Sequence, residues 1–206
     1  MSMKLGIIGF GGMGKFHSKQ APKAGVTVIG AADIKEERVQ EAIEAGIKGY
    51  HSADELLADP EINTVILTVP NHLHKEMAIK AAKAGKNVIT EKPAALNVAE
   101  LDEMTKACEE AGVCFTTHQN RRWDRDMLTV KKAYETGMLG KVFTIESRLH
   151  SGNGYMHEWH LYKKYGGGMM YDWGVHLIDQ ILFMMPDAKV KTVFADLKNV
   201  LHEEVD

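Results

Sequence analysis

The segment Gly9-Phe10-Gly11-Gly12-Met13-Gly14 is the first in the chain whose residue types and spacing could do chemistry. It closes an apolar run, Lys4–Ile8, and opens a stretch of helical character; in that setting three spaced glycines form an anion cradle. Gly9 permits the tight turn, Gly11 lets the backbone approach a pyrophosphate, and Gly14 lets helix and strand pack closely. Phe10, Gly12 and Met13 complete the same loop, and the amides and dipole of the helix start face the negative charge. Asp33 follows about twenty residues later, at the end of the second apolar run, where a carboxylate accepts hydrogen bonds from an adenosine ribose and repels a 2′-phosphate. The expected cofactor is therefore NAD rather than NADP. Lys35 softens that repulsion, and the plain alternative for Asp33 is a cap on the next helix.

Pro70-Asn71-His72-Leu73-His74 and Glu91-Lys92-Pro93 each follow a strand-like run. Both then lie at carboxyl ends of strands, where open α/β sheets bind ligands. Asn71, His74, Glu91 and Lys92 are thus cofactor-site candidates, with Lys92 bringing positive charge to the nicotinamide; the plain alternative for both segments is a solvated loop. Asp172 and His176 are four residues apart, so they project from one helical face, with Asp179 a further three along. Gly166-Gly167-Gly168 upstream lets another backbone come close. This pair is open to three readings: catalytic groups, a helix-capping Asp with a half-buried His, or a metal site completed by another histidine. Neither an HExxH pattern nor a cysteine cluster is present, so no metal is expected.

Positioning these residues calls for a parallel sheet. Up to about Asn120, short β-rich runs at Lys4–Ile8, 26–32, 64–69, Asn87–Thr90 and 113–117 alternate with helical stretches, and a weaker run lies at 46–50. Asn97 with Glu100 starts one helix and Gly112 ends it; Val98, Leu101, Met104 and Cys108 fall along its one face. The first domain, residues 1–120, is expected to bind the dinucleotide. From 121 the pattern changes to a helix at 127–135, a strand at 142–149, a loop at 150–168 rich in aromatics, histidine and glycine, a helix at 172–184 and a strand at 190–197. With 206 residues the chain has room for one to two cores. A net charge of −3 with dispersed basic residues offers no stripe for a nucleic acid. The glycines after Leu5 exclude a secretory segment and no run reaches bilayer length, so a cytoplasmic protein without a membrane partner is expected. The neighbours of Cys108 and Cys114 point to burial of both rather than to a disulfide.

Taken in order, GFGGMG, AAD, PNHLH, EKP and GGGMMYDWGVHLID resemble the glucose-fructose oxidoreductase/inositol dehydrogenase/rhizopine catabolism (Gfo/Idh/MocA) family from residue 4 onward. HQNRRWD at 118–124 is similar to the branch acting on inositols and related sugars. The resemblance implies an α/β fold: an N-terminal Rossmann domain, then at 121–206 the first part of an α/β domain with an open, mostly antiparallel sheet that helps form homo-oligomers. It places the EKP lysine, beside nicotinamide and substrate, on Lys92, and the Asp and His of the DxGxH segment on Asp172 and His176. The implied reaction passes hydride between NAD and a secondary alcohol of a sugar, inositol or related polyol. His176 is expected to remove the hydroxyl proton, Lys92 to stabilise charge on oxygen, Asp172 to orient substrate or imidazole, and Asn120, Tyr155 and Trp159 to line the pocket. A sensor that keeps the dinucleotide site without turnover is the other class; a metal-dependent hydrolase is a third. There are two departures from the family. Trp159-His160 replaces the usual Trp-Arg, and family members continue through several more strands, so a C-terminally truncated piece is expected.

Overall fold

The computed structural model describes residues 2–150, 156, 158–199 and 204–206, arranged as two compact units, Met1–His118 and Gln119–Asp206. In the first unit the continuous apolar runs become strands buried on both faces, as parallel strands under helices must be. β1 (Lys4–Ile8), β2 (Thr27–Ala32), β3 (Lys48–Tyr50), β4 (Thr64–Leu67), β5 (Asn87–Thr90) and β6 (Phe115–Thr117) form one sheet in the order β3-β2-β1-β4-β5-β6, every pair parallel. The connecting helices are α1 (Gly12–Gln20), α2 (Glu36–Glu44), α3 (Ala53–Ala58), α4 (His74–Lys83) and α5 (Val98–Ala111). The order reverses at β1, whose two neighbours come from opposite halves of the unit, the kind of switch point beside which open α/β sheets take ligands at the carboxyl ends of the strands.

Register decides what meets at that edge. Ala32 pairs with Ile8, Ile8 with Leu67, Leu67 with Thr90, and Thr90 with Thr117, so five strands end in one row. The residues that follow, Asp33, Gly9, Thr68, Glu91 and His118, therefore leave the sheet side by side. Two cores hold it: Leu56, Ile62, Val65, Leu67, Ala78, Ala81, Val88, Met104 and Cys108 on one face, and Leu5, Ile7, Phe10, Ala31, Ala42 and Ile66 on the other.

Local signals set the helix ends. Asn97 Oδ1 accepts the Glu100 amide at 3.0 Å, and Gly112 ends α5 in the left-handed region at φ 66°. The Glu100 carboxylate reaches back to the Leu96 amide rather than to that of Asn97. The expected apolar face of α5 is correct at Met104 and Cys108 but not at Val98, which is 73% exposed in the first turn. Cys114, the residue before β6, is likewise exposed, while Cys108 is buried and its thiol pKa is pushed up by that burial.

The second unit corrects the expected fold class. Among the described residues no open, mostly antiparallel sheet is formed, and every strand belongs to the six-stranded parallel sheet. The segments 142–149 and 190–197 carry strand-like patterns, yet a strand exists only where a neighbour takes up its amides and carbonyls, and these two find none among the described residues. Phe143, Val193 and Phe194 on them are accordingly exposed. What does form is α6 (Arg125–Glu135) and α7 (Val175–Met184), the latter entered through a π-helical turn, Met170–Gly174, where a plain α-helix from Asp172 was expected. The turn between the units' boundary and α6 docks on α7: Arg122 grips Asp179 with Nε at 2.8 Å and Nη2 at 2.6 Å, and Trp123 packs edge-on against Phe183. No helix among the described residues is long and apolar enough to cross a membrane.

The packing predicts a contrast. Leu67→Ala, in the middle of the sheet and fully buried, should cost about 2–5 kcal/mol. Val98→Ala in the exposed first turn of α5 should change stability by no more than about 0.5 kcal/mol. Urea denaturation of the two variants checks this, and equal losses would contradict the packing.

Candidate functional site

The glycine turn is built as an anion site. Gly9 has φ 94°, and a Cβ there would stand 2.7 Å from the Thr68 carbonyl oxygen; one on Gly14 would stand 2.2 Å from the Gly9 carbonyl oxygen. Those two positions exclude any other residue. Over the turn there is room, because a Cβ on Gly12 would meet nothing within 4 Å and one on Gly11 only the Arg38 guanidinium at 3.5 Å. α1 starts with Gly11 as its N-cap, so no side chain caps it and no acid lies in its first turn. Its first amides have no intrahelical acceptor, and this fits a diphosphate group supplied from outside. Phe10 is buried in the core, Met13 is 40% exposed, and both contribute to the loop through their backbone.

Asp33 sits next to this turn. Its carboxylate accepts from the Phe10 amide at 2.8 Å, from the Lys35 amide at 3.0 Å and from the Arg38 guanidinium at 3.4 Å. It thereby ties the end of β2 to the glycine loop, with two cationic side chains, Lys35 and Arg38, close by in sequence and Arg38 in contact.

Along the same edge, Glu91 and Lys92 leave β5. Glu91 is buried, and its Oε1 faces His17 Nε2 at 2.6 Å and His118 Nδ1 at 3.0 Å, while Oε2 accepts the Lys92 amide at 3.4 Å. Burial alone would raise the Glu91 pKa; the hydrogen bonds from His118 and His17 outweigh it and bring the carboxyl from 4.5 down to about 2. The next carbonyl along, that of Pro93, meets His74 Nδ1 at 2.8 Å, and His74 Nε2 lies 3.0 Å from the Val69 carbonyl. His74 is fully buried, and that burial holds its pKa below the ordinary value against the pull of the two carbonyls. A neutral ring has one N–H and serves one carbonyl at a time. With its N–H on the Pro93 carbonyl, His74 joins the loop after β4 to the turn after Lys92. Asn71 is buried in the short turn Asn71–Leu73 beside it.

Sequence reasoning passed over His17, His118 and Arg38. A signal existed for the first two: His17 is three residues past Gly14, on the same buried face of α1, and His118 follows β6 as Glu91 follows β5. In the second unit, Asp172 lies in the π turn with its amide on the Gly168 carbonyl at 3.0 Å, and His176 is buried with Trp173 edge-on at 5.7 Å. Asp179 is engaged by Arg122 rather than grouped with them. Asn120 begins a short 3-10 turn, Trp159 stacks on His160 at 3.7 Å, and Tyr155 lies outside the described residues.

The family model described as the GFO_IDH_MocA oxidoreductase family, NAD-binding Rossmann fold, matches residues 3–119, and that of the GFO/IDH/MocA C-terminal domain matches 127–206. The chain is 33% identical over 208 residues to myo-inositol 2-dehydrogenase of Thermotoga maritima, covering 98% of this chain and 60% of that protein. It is 34% identical over 214 residues to scyllo-inositol 2-dehydrogenase (NADP(+)) IolW of Bacillus subtilis, covering 100% and 58%. The crystal structure of an NAD-binding protein from Listeria innocua superimposes with a TM-score of 0.96 at 42% identity, covering 100% of this chain and 61% of that one. The chain thus spans about 60% of the length of these relatives.

The depressed Glu91 pKa contributes to the acid limb of stability. Because the folded value, about 2, lies below the ordinary 4.5, the stabilisation is fully present above pH 4.5 and is lost as pH falls toward 2. Glu91→Gln removes that dependence, so the stability gap between the natural protein and the variant should be open at pH 6 and narrow steadily below pH 4.5. A gap that stays constant in urea midpoints measured from pH 6 to pH 3 would contradict an ionised, histidine-held carboxylate.

Proposed function

Because the chain belongs to the Gfo/Idh/MocA oxidoreductase family, we propose that it binds NAD through its first unit and serves oxidation of a secondary alcohol on an inositol, sugar or related polyol. The observation that carries this reading is the uncapped start of α1 beneath the glycine turn, with Asp33 beside it and Lys92 on the same sheet edge. NAD, when bound, supplies the acceptor for the hydride that leaves the alcohol carbon. The amides of the α1 turn hold the diphosphate, and Asp33 accepts from the ribose hydroxyls. Lys92 stabilises the negative charge that develops on the substrate oxygen. His176 takes the hydroxyl proton, and Asp172 orients the substrate or that imidazole. Residues 121–206 are assigned to substrate binding and self-association, with Asn120, Tyr155 and Trp159 as pocket candidates. Inositols lead the substrate list because two relatives that match over nearly the whole chain are named as inositol 2-dehydrogenases.

Asp33 favours NAD, although IolW is named as an NADP(+) enzyme. The Arg38 and Lys35 cations around Asp33 leave that preference in the hands of one carboxylate. Asp33→Ser should raise affinity for NADPH relative to NADH by roughly tenfold, read by fluorescence titration; an unchanged ratio would remove Asp33 from the ribose site.

Incubation with NAD and a panel of inositols and sugars should raise absorbance at the reduced-nicotinamide band. Lys92→Met should lower kcat by about 100-fold or more while NAD affinity stays within a few-fold. Failure of the protein to bind NAD in calorimetry would refute the proposal outright.

A further inference from the structure

Lys92 is flanked on both sides by groups that a buried imidazole holds. Pro93 after it gives its carbonyl to His74. Glu91 before it uses one carboxylate oxygen for His17 and His118 and the other for the amide of Lys92 itself. The three residues of this cluster come from three places: His17 from α1, the helix that starts in the glycine turn, Glu91 from just past β5, and His118 from just past β6. Glu91 and His17 are each 6% exposed.

A buried ionised carboxylate is costly, and an apolar side chain of similar size would often leave a fold as stable or more so. What the carboxylate adds is direction. Its two imidazole contacts fix the end of β5 against α1 and β6, and its second oxygen passes that constraint to the backbone of the next residue. The same three side chains have the donor types of a zinc site. However, ligand atoms around a tetrahedral zinc at about 2.0–2.2 Å stand roughly 3.3–3.5 Å apart, and His17 Nε2 stands only 2.6 Å from Glu91 Oε1. That separation is a charge-assisted hydrogen bond.

We propose that Glu91, held by His17 and His118, is the positioning residue for Lys92 and sets the lysine relative to the glycine turn, so that nicotinamide contact depends on this buried cluster while diphosphate binding does not. The inference rests on the reading that Lys92 meets the nicotinamide of bound NAD. His17, His118 and Glu91 touch neither cofactor nor substrate in this scheme; they act through Lys92.

The test uses the 206-residue chain with its lysines ¹³C-dimethylated, the Lys92 signal being assigned by its loss in Lys92→Arg. NAD should shift that signal and ADP-ribose, which lacks nicotinamide, should not. In Glu91→Gln and in His118→Leu the NAD-induced shift should fall at least threefold while ADP-ribose affinity by calorimetry stays within twofold. His118→Asn, which keeps a donor near the Nδ1 position, should restore the shift, a rescue that loss of general stability would not produce. Retained ADP-ribose binding certifies the fold of each variant. A full NAD response in both disabling variants overturns the positioning role, as does zinc retained by the unaltered chain and lost from both. If the unaltered chain binds ADP-ribose and NAD but its Lys92 signal ignores NAD, this inference fails alone; if it binds neither, the dinucleotide reading falls and takes this inference with it.

Discussion

The hydrogen-bonded register of the parallel sheet is the constraint on which the site depends. β1 pairs with β2 on one side and β4 on the other, and the level set by Ile8 is carried outward to Ala32, Leu67, Thr90 and Thr117. Each of those strands ends in a residue of the row, and the next residue in each chain segment is one with chemistry or turn geometry: Asp33, Gly9, Thr68, Glu91 and His118. A shift of one residue in any pairing would turn the side chains of that strand to the opposite face and break the row. The apolar packing beneath protects the register, since Leu67, Val65 and Ile66 have helices or helix-borne alanines on both faces.

Upon this row the buried polar groups act as ties between loops. Asp33 binds the end of β2 to the Phe10 amide, Glu91 binds the end of β5 to α1 and β6, and His74 binds the loop after β4 to Pro93. Each tie would be expensive if its partner were removed, because the surviving group would remain buried without its hydrogen bond. Each therefore fixes the relative geometry of the loops that it joins. The histidine hydrogen bonds hold the Glu91 carboxyl down to a pKa of about 2 in spite of burial.

The second unit is held differently. Its helices α6 and α7 and the turn that precedes α6 meet through Arg122 on Asp179, Gln180 on the Arg121 carbonyl, and stacked cations over Trp173 and Phe183. The π turn at Met170–Gly174 carries Asp172 and leads directly into α7, which carries His176, and such turns recur near functional sites. The patterned segments at 142–149 and 190–197 remain outside any sheet among the described residues, with their large apolar side chains exposed.

Local chemistry was legible in the sequence wherever a few adjacent residues decide the outcome. The glycine turn, the N-cap at Asn97, the left-handed Gly112, the extents of β1 and β5, and the placement of Asp33 and Lys92 just past strand ends all follow from short-range sterics and hydrogen bonding. Partners brought from far along the chain were not legible. That Glu91 would be gripped by His17, 74 residues earlier, and by His118, 27 residues later, depends on strand order and register, which are settled by the packing of the whole sheet. The same reason accounts for the second unit: alternating or β-branched residues show that a segment can be a strand, but only a neighbouring backbone makes it one. The amino-acid order thus determined the turns, caps and strand candidates, and tertiary pairing decided which of them became sheet and which side chains came to face one another.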